Sequence, residues 1–202
     1  MKTRALLLYQ FGHAESIREL AGNKATPLIG FLLLLTATAA REYDHTYIAG
    51  EGTFLLPIVV SFFAATMVYA FVHVLNGGIR RPDDESKPGV PFRTFVALFW
   101  MTSPIAWLYA IPVERFLSPI DAARANVTLL CIVAIWRVLL FSRVVSVLLG
   151  LSYPRALVSV TWPCSGMMLV GLFFFWISMV GVMGGMHHSS DEQVLVDAAS
   201  VA

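Results

Sequence analysis

Residues 131–150 read CIVAIWRVLLFSRVVSVLLG. Twenty helical residues rise about 30 Å, the thickness of a bilayer's hydrocarbon core. Every side chain in the stretch is apolar except Arg137, Ser142, Arg143 and Ser146. It therefore reads as a membrane span that keeps two arginines. At the bilayer centre an arginine costs about 2.5–3.5 kcal/mol on insertion scales, so each of the two needs a physical reason.

The rest of the chain supports a membrane reading. Of 202 residues, 57% are hydrophobic and 13% charged, about half the charge of an ordinary soluble domain. Mean hydropathy is +0.73. So few charges could not cover the surface of a soluble fold. A net charge of +1 argues against a nucleic-acid partner. The only cysteines, Cys131 and Cys164, lie in apolar runs. They make neither a disulfide framework nor a thiolate metal motif, and they read as two buried small apolar residues.

Five runs approach the length of a span: Ala25–Ala40, Phe54–Asn76, Phe95–Ile111, Ala125–Gly150 and Ala156–Gly185. The last exceeds one straight crossing, and Pro163 offers it a kink or an interfacial start. Asn76–Pro91, NGGIRRPDDESKPGVP, is the clearest loop; it reads as solvated, with a soluble cytoplasmic partner as the sharper alternative. Residues 1–24 suit a cytoplasmic helix lying on the membrane surface, with a partly ordered tail as the alternative. The first span also has features of a signal sequence ending at "ATA" (Ala37–Ala39), with cleavage as the alternative. The Glu15 and Glu19 of its long lead count against that.

Lysine and arginine set the orientation. Lys2, Arg4, Arg18, Lys24, Arg80, Arg81, Lys87, Arg93 and Arg155 fall on one side. Arg41, Arg115 and Arg124 fall on the other, and the tail 186–202 carries none. The predicted fold is an all-α, polytopic transmembrane helical bundle with five spans, the N-terminus in and the C-terminus out.

The chain resembles the Yip-domain family of small five-span membrane proteins. The likeness is strongest in LLCIVAIWRVLLFSRVVSVLLGLSYPRALVSV, Leu129–Val160, where a Trp-containing helix meets a short turn and an "RA" pair opens the next helix. Proline in the middle of the third span, TSPIAWLYAIP, is similar too. The resemblance implies a non-enzymatic scaffold or membrane-organising role. Eukaryotic members are linked to vesicle traffic and small-GTPase partners; their long acidic leader is missing here, and no functional residue transfers. The expected location is multi-pass, in a bacterial cytoplasmic (inner) membrane.

No metalloprotease, nucleophile-elbow or P-loop pattern occurs. No span holds an Asp or Glu, which argues against an intramembrane enzyme or a proton-coupled carrier. No cofactor is expected. REYDH, Arg41–His45, reads as a polar rim and only alternatively as a cation site. Met183, Met186, His187 and His188 present sulfur and imidazole, which suits copper, although Met in an apolar helix ordinarily packs. Gly181 and Gly185 form a G-x-x-x-G, which permits close helix approach, either within the chain or in a homo-oligomer.

The two arginines differ in depth. Counted from Ala125, Arg143 lies about 27 Å along the helix and Arg137 about 18 Å. Arg143 can lift its charge to the headgroups on its long stem. Arg137 cannot, so it should face protein or water. Suitable acceptors sit at its depth: Thr102, Ser103, the Trp100 carbonyl that Pro104 leaves without a helical donor, and Thr66 on the second span. The expected site is an interhelical clamp. The alternative is an anion or lipid-headgroup site in a small transporter or channel component.

Overall fold

The computed structural model describes residues 3–41, 56–75 and 90–184. Among these residues every regular element is helical: α1 Thr3–Gln10, α2 Ala14–Gly22, α3 Thr26–Arg41, α4 Leu56–Leu75, α5 Phe92–Trp100, α6 Pro119–Leu149 and α7 Tyr153–Gly184. Two 3-10 segments, Ser103–Ala110 and Val113–Arg115, lie between α5 and α6. Among the described residues two helices are long and apolar enough to cross a membrane, Pro57–Leu75 within α4 and Ile120–Leu149 within α6. There are three if α2 and α3, bent by 110° where they meet, form one broken span. The loop 76–89, Glu42–His45 of the acidic rim, and Gly185, Met186, His187, His188 and the tail lie outside the described residues. The loop charges used for orientation, the cation and copper readings and the G-x-x-x-G pair therefore stay as sequence expectations.

Local chemistry sets the helix ends. Ser118 caps α6: its Oγ accepts from the Asp121 backbone N–H, and Pro119 fills a first-turn position where no N–H is needed. Gly150, at φ +64°, ends the same helix in the left-handed conformation that glycine adopts without strain. Ser146 Oγ then donates to the Leu151 carbonyl, fixing the tight turn into α7. α7 runs through Pro163 as one helix.

The third apolar run is not one α-helix. α5 stops at Trp100, and a 3-10 segment follows from Ser103. Pro104 has no N–H to offer the Trp100 carbonyl, so i→i+4 bonding cannot pass this point. The chain tightens instead: the Thr102 N–H donates to the Phe99 carbonyl three residues back.

One core joins most elements: Tyr9 of α1, Ile17 and Leu20 of α2, Val68 and Val72 of α4, Phe95 and Leu98 of α5, Phe141 and Val144 of α6, and Ala156 and Val160 of α7. The N-terminal segment is thus part of the bundle, with Ala5, Tyr9, Ile17 and Leu20 buried against it, while Leu7 and Phe11 stay exposed. Tyr9 is wholly buried and its hydroxyl donates to the Leu98 carbonyl at 2.6 Å. Gln10 Nε2 donates to the Met101 carbonyl at 2.8 Å. A smaller cluster of Ala37, Ala106 and Val133 packs the 3-10 segment between α3 and α6. Gly30 lets α3 approach α5 so closely that a Cβ there would stand 2.6 Å from the Ala97 carbonyl oxygen.

The outer faces are apolar. Val59, Val60, Phe62 and Phe63 of α4, Ile132, Ile135, Trp136 and Leu139 of α6, and Trp162, Leu169 and Val170 of α7 are exposed. Apolar surface on this scale needs a membrane or another protein against it. Cys131 shares that outward face, which corrects its reading as a buried residue. It stands in an apolar run because the run faces outward.

Candidate functional site

Arg137 projects from α6 onto the break between α5 and the 3-10 segment. Its Nε donates to Thr102 Oγ1 at 3.1 Å. Its guanidinium carbon lies 5.2 Å from the centroid of the Phe99 ring, within cation–π range. Thr102 is fully buried, and its own hydroxyl donates to the Phe99 carbonyl at 2.7 Å. One hydroxyl thereby does two jobs. It helps close the tight turn that Pro104 forces, and it accepts from the arginine across the helix interface.

Ser103, the second expected partner, is 1% exposed and lines a small cavity with Arg137. The cavity measures about 30 Å³, and its other polar walls are Thr38 of α3 and Ser61 of α4. That is room for a water-sized occupant, which needs about 10–15 Å³. The remaining walls are apolar, among them Leu34 and Ala106. The Thr38 hydroxyl is committed to the Leu34 carbonyl at 3.0 Å. Ser61 Oγ and Ser103 Oγ are buried and have no hydrogen-bond partner among the described residues.

Thr66 does not reach this site. Its hydroxyl donates to the Phe62 carbonyl of its own helix at 2.8 Å, and the α4 residue on the cavity is Ser61. The two positions are five residues apart, about 7.5 Å along the axis but roughly 140° around it. Depth alone could not choose between them. Thr38, Ser61 and Phe99 were not singled out from sequence. A helical wheel separates the Ser61 and Thr66 faces of α4, but only packing decides which of them meets Arg137.

Arg143 has a partner beyond the headgroups expected for it. Its Nε donates to the Gly12 carbonyl at 3.4 Å, and its stem lies against Gly12. Gly12 sits at φ +72° in the turn between α1 and α2, a conformation that suits glycine and lets the arginine stem approach. Nearby, Phe11 packs edge-on against Trp136 of α6. Burial pushes the Tyr9 hydroxyl above the ordinary tyrosine range, and the positive charge of Arg137 acts in the opposite direction. Tyr9 therefore remains a neutral donor to Leu98.

Among the described residues, no three His, Cys, Asp or Glu side chains gather as metal ligands. No family model matches the sequence, and no curated protein or solved structure matches it. The functional reading accordingly rests on the residues themselves.

Proposed function

We propose that this protein is a non-enzymatic, multi-pass membrane scaffold of the Yip-like type, with five spans and a cytoplasmic N-terminus, in a bacterial cytoplasmic membrane. The observation that carries the reading is the use made of Arg137. The most costly residue of the membrane region is used to join α6 to the α5 break through Thr102 and Phe99, a packing role for a charge that the bilayer penalises. The N-terminal helices packed into the same core suit a rigid organising unit with extensive apolar outer faces.

The alternative, a small transporter or channel component, draws on the hydroxyls that share the Arg137 cavity. One measurement separates the readings and a second tests the span count. Full-length protein in proteoliposomes should give no halide or phosphate flux above empty vesicles; sustained flux abolished by Arg137→Leu would replace the scaffold with a carrier. Reporter fusions should put residue 85 in the cytoplasm and residues 118 and 195 outside. Finding 85 and 118 on one side would remove the third crossing and with it the five-span arrangement.

A further inference from the structure

We propose that the exposed face of α6 holds one anionic phospholipid, with its phosphate on Arg143 and an acyl chain along Leu139, Trp136 and Ile132. The inference starts from the two faces of this helix. Val133, Leu140, Phe141 and Val144 are buried in the bundle, whereas Ile132, Ile135, Trp136 and Leu139 are exposed. Arg143 is exposed too. At 100° per residue these five exposed positions fall within about 100° of one another, so the guanidinium ends an apolar stripe. From Ile132 to Arg143 the stripe runs about 16 Å, close to one leaflet's half of a hydrocarbon core about 30 Å thick. Two other elements border it. Phe11, in the turn between α1 and α2, is 76% exposed and packs edge-on against Trp136. Tyr153, at the start of α7, donates from its hydroxyl to the Leu139 carbonyl at 3.3 Å. An apolar floor with aromatic borders fits an acyl chain.

The arginine selects the headgroup. Among the described residues its polar partner is the Gly12 carbonyl, reached through Nε at 3.4 Å. A guanidinium carries five N–H donors, so four are left for another acceptor, and its planar fork matches a phosphate. Charge around it has the same sign. Lys24, Arg93 and Arg155 are exposed beside the starts of α3, α5 and α7, at the end of the bundle where α6 finishes. On α1 and α2, the exposed Glu15 and Glu19 are offset by Arg4 and Arg18, and the sequence of the loop 76–89 holds three basic and three acidic residues. The net positive charge favours a lipid that is negative overall above a zwitterion. The site rests on the membrane reading and not on the scaffold role: a bilayer-embedded chain that bound all phospholipids alike would lose this site and keep that role.

The test uses the purified, delipidated full-length chain in detergent. Phosphatidylglycerol with brominated chains should quench the tryptophan fluorescence saturably. Its half-saturating concentration should be about fivefold lower than that of phosphatidylcholine with the same chains, the ratio that one basic residue contributes at a membrane surface. Arg143→Gln should remove this preference, and Arg124→Gln, in the first turns of the same helix, should keep it. Trp136→Phe should lose the saturable quenching, and inorganic phosphate, which has no chain, should leave the parent's quenching unchanged. Equal half-saturation for the two lipids in the parent, a preference that survives Arg143→Gln or falls equally in Arg124→Gln, saturable quenching retained in Trp136→Phe, or displacement by inorganic phosphate would each overturn the proposal. A dimer that excludes lipid from the stripe and dissociates in Leu139→Arg would overturn it too, and would assign the face to a second copy of the chain.

Discussion

Replacing Gly30 with alanine should destabilise the bundle, and replacing Gly166 with alanine should stabilise it. Both glycines lie inside helices, α3 and α7. Alanine in a helix interior is favoured over glycine by about 0.8–1 kcal/mol, and this gain is common to both variants. Their surroundings differ. A Cβ on Gly166 meets nothing within 4 Å. A Cβ on Gly30 would lie 2.6 Å from the Ala97 carbonyl oxygen, where ordinary contact begins at 3.4 Å. The obstacle is backbone, so α3 and α5 would have to separate by about 0.8 Å along that contact. Forcing extra volume into a packed interface costs about 1–3 kcal/mol. Subtracting one variant from the other cancels the propensity gain and leaves that packing cost. The assay is reversible unfolding of both variants and the parent in mixed micelles, by denaturing-detergent titration. Gly166→Ala should be more stable than Gly30→Ala by about 1–3 kcal/mol. Equal shifts in the two variants would refute the close α3–α5 approach.

Two further predictions concern polar contacts. Thr102→Val and Arg137→Leu should be coupled in a double-mutant cycle by about 0.6–1.7 kcal/mol, from the average to the maximum found for hydrogen bonds inside a membrane protein. Arg137→Lys should lose most of that coupling, because it lacks the planar fork and its stacking on Phe99, while Arg143→Leu should shift the midpoint less, its bond to Gly12 being long and exposed; zero coupling would remove the clamp. Tyr9→Phe should cost about 1 kcal/mol through loss of the bond to Leu98. The parent should also lose stability as pH rises above about 10, because a tyrosine in the unfolded chain then ionises while burial holds Tyr9 neutral. A parent-to-variant difference that stays constant from about pH 8 to 11 would contradict the raised Tyr9 value.

Much of the helical plan was legible because it rests on local properties. Apolar runs and glycine report where helices end, as Gly150 does for α6, but α6 begins at Pro119, six residues before the Ala125 read from the apolar run, because its capped first turn is polar. Arg137 could be picked out because burying its charge is costly wherever the neighbours lie. Its partner Thr102 was legible in outline, since Pro104 disturbs the backbone beside it whatever packs there.

Relations between distant parts of the chain needed the tertiary structure. An amphipathic N-terminal segment carries the same pattern whether lipid or protein covers its apolar face; only packing brings Tyr9 to Leu98 and Gly12 to Arg143, partners 89 and 131 residues apart. The choice of Ser61 over Thr66 depends on the rotation of α4 about its axis, which helix–helix packing sets and which composition leaves open. Sequence by itself determined which residues are too polar or too apolar to be left without a partner, because transfer free energy belongs to each side chain alone. The tertiary structure decided which partners they found, because that depends on how far and at what angle one helix lies from the next.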